Sequence, residues 1–154
     1  MSDETTPREL KPETRQRWSL YWEQGGAYAS DARHGLEALT LRLDGRLRYE
    51  RRQAEQRFAA EAQVAFAEVD DWIAAIRESG FPRLPDPNAA PGADLVGLAV
   101  IGPYGRNAVH FSLARAQNWP GYGWLARAAA AWFERLRADA PAAATDAPSE
   151  PAGD

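Results

Sequence analysis

Few residues in this chain have side chains that could perform chemistry at neutral pH. The sequence contains no cysteine, and its two histidines, His34 and His110, lie far apart along the chain. A zinc or catalytic metal site usually needs three or four converging ligands, and neither an HExxH, an HxH nor an EF-hand pattern is present. We therefore expect no metal site, and we interpret His110 as a structural or half-exposed strand residue.

Motifs for nucleophilic catalysis and phosphate binding are also missing. Ser112 follows His110 by two residues, so both would point to one face of a strand, but no third group orients them. There is no GxSxG elbow. Glycine-rich stretches at 25–26, 102–105 and 121–123 match neither a phosphate loop nor a dinucleotide-binding fingerprint. We interpret these glycines as turn residues.

Three neighbouring carboxylates, Glu68, Asp70 and Asp71, are the nearest approach to an acid–base pair. On a helix, Asp70 and Asp71 diverge by about 100° and lie on or near the solvent side. A solvated helix face explains them without any acid–base role. The sequence therefore predicts a protein that is not an enzyme and that needs no cofactor.

A group of arginines is the first of two patterns that suggest binding. Like charges at strand spacing repel one another unless they meet anions. Three interpretations stay open: a solvated sheet face or edge that discourages aggregation, a site for an acidic protein partner or for the chain's own acidic tail, and a nucleic-acid site. The residues of this row are Arg42, Arg46, Arg48 and Arg52, with Glu50 among them.

Aromatic residues in two loops are the second pattern. One loop carries Tyr104 and Arg106, and the other carries Trp119, Tyr122 and Trp124. Tyrosine, tryptophan and arginine dominate the residues that carry binding energy in protein interfaces. A tryptophan that opens a helix can equally fasten that helix to the core, so both a binding surface and a packing role stay open.

The arginine row depends on the register of a predicted β-hairpin, LEALTLRL-DG-RLRYERR. A two-residue Asp44-Gly45 turn would place the leucines before the turn on the opposite face from Leu47 and Tyr49. A three-residue loop at 43–45, with Gly45 in the left-handed conformation, instead opposes Leu41 to Leu47. We prefer this loop because it buries the apolar side chains together and leaves the arginines on the other face.

The remaining patterns predict an α+β fold with an antiparallel sheet of about five to six strands and two helices, in the order ββββ-α-ββ-α. Residues 54–64 fit either strand or helix, and we place a strand near 56–63 and a helix at about 65–79, ending at Gly80. LVGLAVIG and NAVHFSLAR form a second hairpin, and WLARAAAAWFERLR is an amphipathic helix. Leu125, Ala129, Trp132 and Leu136 are expected to face inward.

Composition sets the expected domain limits. Residues 17–138 are predicted to form a single α+β domain, 1–16 a disordered N-terminal arm, and 139–154 a disordered, acidic, Pro/Ala-rich tail. The central part has 15 arginines against 14 acidic residues, whereas the tail has four acidic residues and no basic one. A nearly neutral domain is not expected to bind nucleic acid. The N-terminus lacks a signal-peptide pattern, and no apolar run could cross a membrane, so we expect a cytoplasmic protein.

The run from Leu39 to Pro85 also resembles a known family. It contains a strand, DGRLRYERR, another strand, the helix VDDWIAAIRESG and the loop GFPRLP. With the second hairpin and the last helix, this layout resembles the emfourin-type small proteins. The resemblance implies a compact α+β inhibitor of thermolysin-like metalloproteases. It assigns no inhibitory residue, since Gly80, Phe81, Leu84 and Pro85 are expected to end a helix and to fill the core.

From these observations, the expected function is a non-enzymatic protein-binding domain. It would act as an inhibitor or immunity-type protein on a bacterial protein partner. The alternative is a structural or assembly subunit that packs its sheet face into a homo-oligomer or a larger particle.

Overall fold

The computed structural model of the protein describes residues 10–25, 35–53, 56–83 and 95–139. In this part of the chain the elements are α1 (Pro12–Arg17), β1 (Ser19–Gly25), β2 (Leu36–Arg42), β3 (Arg46–Gln53), β4 (Gln56–Gln63), α2 (Phe66–Ser79), β5 (Leu95–Gly102), β6 (Gly105–Ser112), α3 (Leu113–Ala116) and α4 (Tyr122–Asp139). The predicted α+β class and the order ββββ-α-ββ-α are confirmed, with the short helices α1 and α3 in addition.

All six strands belong to one antiparallel sheet with the order β4-β3-β2-β1-β5-β6. The first strand therefore lies inside the sheet, paired with β2 on one side and with β5 on the other. The strands β1 to β4 follow one another as hairpins, and the chain then passes through α2 before β5 adds to the free side of β1. This order makes β4 and β6 the two edge strands.

The register of the β2–β3 hairpin matches the predicted one. Leu41 pairs with Leu47, and Leu39 pairs with Tyr49. At the turn, the Gly45 amide donates a hydrogen bond to the Arg42 carbonyl at 2.8 Å, and Gly45 has a φ of 100°. The three-residue loop therefore places the leucines of both strands on one face, which is the arrangement that the sequence predicted from the burial of apolar side chains.

The core lies between the sheet and the helices α2 and α4. From the sheet it takes buried side chains such as Trp22, Leu39 and Tyr49, and Tyr49 meets Phe133 of α4 edge to face with ring centroids 6.0 Å apart. The four helix residues expected to face inward are all buried, and they are Leu125, Ala129, Trp132 and Leu136. We call the sheet face against these helices the inner face and the opposite one the outer face.

The helix α1 corrects the predicted N-terminal arm. Residues 12–17 are helical, although 1–16 were expected to be disordered. The helix is held by Arg15, which is only 4% exposed and donates a 2.8 Å hydrogen bond to the carbonyl of Leu43. Its guanidinium also pairs with Asp70 at 3.2 Å and stacks on Phe66 at 4.0 Å from the ring centroid. A six-residue helix is marginal alone, so these tertiary contacts explain why local sequence patterns missed it.

The helix boundaries agree closely with the predicted ones. The strand predicted near 56–63 is β4, and α2 ends at Gly80 as expected. The last helix begins at Tyr122 rather than at Trp124. The predicted connections after β1 and before β5 lie largely outside the described residues, as do Leu84, Pro85 and the chain beyond Asp139.

Candidate functional site

The outer face is the surface that α2 and α4 leave open. As predicted, it carries the arginine row, because these residues alternate with the buried ones along β2 and β3. Small side chains lie between the long charged ones, and Ala38 and Ala99 are buried there at 7% and 1% exposure. The residues of β2 and β3 that share this face are Leu36, Ala38, Thr40, Arg42, Arg46, Arg48, Glu50 and Arg52.

Two of the predicted arginines are neutralised by nearby carboxylates. The Nε of Arg42 donates to Asp44 at 2.9 Å, and this hydrogen bond holds the pKa of Asp44 below its usual value. Arg48 lies 3.3 Å from Glu50 and 3.1 Å from Glu61 of the adjacent strand β4. These two arginines are therefore engaged within the sheet and contribute little free positive charge.

Arg52 has the opposite environment. It lies directly across from Arg57 of β4, so two like charges face each other on the outer face. Both side chains are exposed, and within the described residues neither has an ion pair with a carboxylate. Like charges at directly opposite positions destabilise a strand pair, and a bound anion would remove that repulsion. Arg57 was not among the predicted site residues.

A hollow of about 220 Å³ lies beside this arginine pair, and we call it the Arg52 hollow. Its lining includes small or apolar side chains, among them Leu36, Ala38 and Ala59. Four arginines line it against a single carboxylate, Glu50. The full lining is Tyr21, Leu36, Ala38, Arg48, Glu50, Arg51, Arg52, Arg57, Phe58 and Ala59.

Arg51 borders this hollow from the inner side of the sheet. Its Nε atom is buried and has no hydrogen-bond acceptor in the described part of the chain. The guanidinium stacks on the ring of Phe58 at 4.0 Å from the centroid, which keeps it in place. In the strand register Arg51 lies opposite Glu37 and Phe58, which belong to the inner face, so this buried donor does not point to a ligand on the outer face.

A second hollow of about 500 Å³ lies nearer the β2–β3 turn, and two of its three arginines have carboxylate partners. It contains Arg42 and Arg48, which are paired as described, together with Glu61 and the exposed Arg46. Arg46 has no ion pair with a described carboxylate. The unbalanced positive charge on β2 to β4 therefore lies mainly at the Arg52 end of the sheet.

Tyr21 lies on the outer face of β1, the strand between β2 and β5. Its hydroxyl donates a 2.7 Å hydrogen bond to Glu23, and burial together with that bond raises the pKa of Tyr21 well above its ordinary value. The phenol is therefore a neutral donor that is already engaged. It closes the hollow on one side without adding charge.

The structure corrects the predicted binding role of Trp119 and Tyr122, which pack within the fold, whereas Tyr104 and Arg106 of the other loop are exposed. Tyr122 is fully buried, and its hydroxyl donates to the carbonyl of Arg83, while its ring packs on Phe111 at 4.7 Å. Trp119 is half-buried and donates from Nε1 to the Ser79 carbonyl at 2.9 Å. Both residues join α4 to the end of α2, so the alternative packing role holds for them.

Tyr104 and Arg106 lie at the other end of β6 from Trp119. Tyr104 is 92% exposed at the tip of the β5–β6 hairpin. The eight residues of β6 separate the two loops, which corresponds to about 25 Å. Arg106 is on the outer face, since it pairs with Ile101 in the register that places Ala99 there. It lies on the edge strand β6, whereas Arg52 lies on β3 near the other edge of the sheet.

Two carboxylates of α2, Glu68 and Asp70, have structural roles, whereas Asp71 is exposed. Glu68 accepts a 2.7 Å hydrogen bond from Nε1 of Trp132, and Asp70 pairs with Arg15. His110 is exposed on β6, Ser112 is buried at the end of that strand, and His34 lies outside the described residues. Among the residues that the structure describes, no group of three or more histidine, aspartate or glutamate side chains is placed to hold a metal ion.

Comparison with known proteins places the chain in no family: no family model matches it, and a search of curated proteins returns no matching sequence. Over the described ranges, the structure contains no helix with the length and apolar character needed to span a bilayer.

Proposed function

We propose that this chain is a protein-binding domain whose outer sheet face takes an acidic segment of a partner protein in the Arg52 hollow. The observation that carries the proposal is the Arg52–Arg57 pair, two exposed like charges placed opposite each other, neither of which forms an ion pair with a carboxylate in the described part of the chain. Such a pair is unfavourable in the free protein. It becomes favourable when a carboxylate binds between the two guanidinium groups.

The shape of the site favours an extended segment over a compact ligand. The hollow is not enclosed, and small side chains such as Ala38 and Ala59 are part of its lining. A segment with acidic residues separated by small ones could lie along the strands and place its carboxylates beside Arg52 and Arg57. Charge complementarity of this kind chiefly gives specificity and a fast association rate that depends on salt.

A charge-matched pair of double variants tests this proposal. The probe is a fluorescently labelled ten-residue peptide of alternating glutamate and alanine, and its anisotropy is measured at low salt. Arg52→Glu/Arg57→Glu should weaken its binding at least tenfold. The control, Arg77→Glu/Arg127→Glu, changes the net charge equally but at exposed sites on α2 and α4. Equal weakening by both variants would mean that only net charge matters, and the proposed site would be wrong.

An inhibitor or immunity-type protein is the form of this function that the emfourin-like layout implies. The direct assay is the activity of a thermolysin-like metalloprotease with and without the protein. Inhibition that is lost in Arg52→Glu/Arg57→Glu would support this form. Unchanged protease activity would exclude the inhibition of such proteases, and the binding of an acidic segment would then be tested separately.

Self-assembly is a second candidate, and the edge strand β6 favours it. This strand pairs with β5 on one side only, and its residues Gly105 to Ala108 are exposed. An exposed edge strand can pair with another chain, which would join two sheets. Light scattering tests this: a dimer whose population rises with concentration supports assembly, and a monomer at millimolar concentration contradicts it.

A further inference from the structure

The last turn of α4 is fixed close to the Arg52 hollow. Arg137 donates from Nε and a terminal nitrogen to the two carboxylate oxygens of Glu37, each at 2.6 Å. Glu37 is next in sequence to Leu36, which lines the hollow and pairs with Arg52 across the strands. Asp139, the last described residue, therefore leaves the domain at the same end of the sheet as the hollow.

The fifteen residues that follow, 140–154, carry negative charge only. They contain Asp146, Glu150 and Asp154, and the residues between these are mostly alanine and proline. We propose that this acidic segment binds in the Arg52 hollow of the same molecule and competes there with the partner. This inference rests on the proposed function, because it assigns a regulator to the same site.

The length of the segment suits this path. Asp146 follows Asp139 by seven residues, which span up to about 23 Å when extended. The segment must pass from the helix layer to the outer face around the end of the sheet, and layers packed on a sheet lie about 10 Å from it. Asp146 can therefore reach Arg52. Glu150 would then lie up to about 13 Å further along the face, towards Arg48 and Arg46.

Because the acidic segment is covalently attached to the domain, weak ion pairs are sufficient for it to bind in the Arg52 hollow. Exposed ion pairs bind weakly when the partners are free, but a short flexible connection gives an effective concentration of about a millimolar or more. The segment would then occupy the hollow for part of the time. A competing acidic partner would bind more weakly by about two- to tenfold, in proportion to the fraction of open sites.

A spin label tests the docking directly in the full chain. Because the sequence has no cysteine, Ala152→Cys gives a single attachment site, and broadening of amide signals by the label is read by NMR. Broadening should concentrate at Leu36, Arg52 and Arg57 and vanish at 0.5 M NaCl. The control carries Asp146→Asn, Glu150→Gln and Asp154→Asn in addition, and it should show no such broadening.

Two results would overturn the inference. One is broadening that is absent, or that is unchanged in the neutralised control. The other is equal broadening in a mixture of labelled, isotope-free protein with unlabelled, isotope-enriched protein, because the contact would then be between molecules.

The glutamate–alanine probe separates this inference from the proposed function. The neutralised segment should let the probe bind about two- to tenfold more tightly than the native chain does. If the native chain and the neutralised variant bind the probe with equal affinity, and binding still depends on Arg52 and Arg57, the inference is wrong and the proposed function is unaffected. If the neutralised variant does not bind the probe at all, the proposed function fails, and the spin-label measurement alone then decides the docking.

Discussion

Arg52 of β3 lies directly opposite Arg57 of β4 on the face of the sheet that α2 and α4 do not cover. Two other arginines of the same face have carboxylate partners: Arg42 has Asp44, and Arg48 has Glu50 and Glu61. The difference gives the outer face a local excess of positive charge. Among the described residues of β2 to β4, two unpaired arginines lie at this end of the face and one, Arg46, at the other, so the Arg52 end is the better site for an anion.

This like-charge pair should lower the stability of the free protein. We expect Arg57→Gln to raise the free energy of unfolding by about 0.2–1 kcal/mol at low salt, since repulsion between opposite residues is of that order. The gain should shrink at 0.5 M NaCl because salt screens exposed charges. Urea denaturation measures it, with Arg127→Gln as the control that should change little. A loss of stability in Arg57→Gln would show that the pair is not strained.

The Glu37–Arg137 ion pair should be one of the main contacts that stabilise the packing of α4 on the sheet. Glu37 is 3% exposed and also accepts a 2.7 Å hydrogen bond from the Tyr49 hydroxyl. Glu37→Gln would leave the guanidinium without its anion, and loss of one partner in a buried pair costs about 3 kcal/mol. Urea denaturation should show this loss, whereas Glu134→Gln on the exposed side of α4 should stay within about 0.5 kcal/mol. Equal losses of stability in the two variants would contradict this role of the ion pair.

Gly45 should be essential for the turn that sets the outer face. A Cβ at this position would lie 2.5 Å from the Val64 carbonyl oxygen, and its φ of 100° is one that side chains rarely adopt. Gly45→Ala should cost more than about 2 kcal/mol. Gly105→Ala is the matched control, because Gly105 also has a positive φ but open space around it. The control should cost less, and the reverse order in thermal denaturation would contradict the turn geometry.

The Arg42–Asp44 hydrogen bond predicts a pH dependence of stability. Because the folded protein lowers the pKa of Asp44 below its ordinary 3.8, the contribution is present above that value and is lost as the pH falls through the folded pKa. The stability difference between the native chain and Asp44→Asn should therefore be largest near neutral pH and shrink below about pH 4. Asp71→Asn is the exposed control. A difference that does not change with pH would contradict this assignment.

The β2–β3 hairpin shows what local sequence patterns can predict. The alternation of Leu39, Leu41, Leu47 and Tyr49 has one register that buries all four, so the turn type and the arginine face both follow from it. Contacts between distant parts of the chain were harder to predict. Glu61 neutralises Arg48 from thirteen residues away, and Arg57 joins the site only through the β3–β4 register. Predicting the register of the β3–β4 hairpin, in which Gln53 pairs with Gln56, would have placed Arg57 opposite Arg52.

Residue type alone did not decide between a binding role and a packing role for Trp119 and Tyr122. Trp119 and Tyr122 have the composition of an interface, but the structure uses their polar atoms to bond the backbone of Ser79 and Arg83. The same limit applies to Arg15, whose charge suggested a solvated arm although it is buried against Leu43 and Phe66. In each case the partner lies more than 25 residues away, where local periodicity carries no information.

The most direct test of the central claim is an amide-resolved NMR titration of the full chain with the unlabelled glutamate–alanine peptide at low salt. We expect the shifts to concentrate at Leu36, Ala38, Arg52 and Arg57, to saturate, and to disappear in Arg52→Glu/Arg57→Glu. Shifts that are absent, or that centre on the helix layer around α2 and α4, would contradict the assignment of the Arg52 hollow as the binding site.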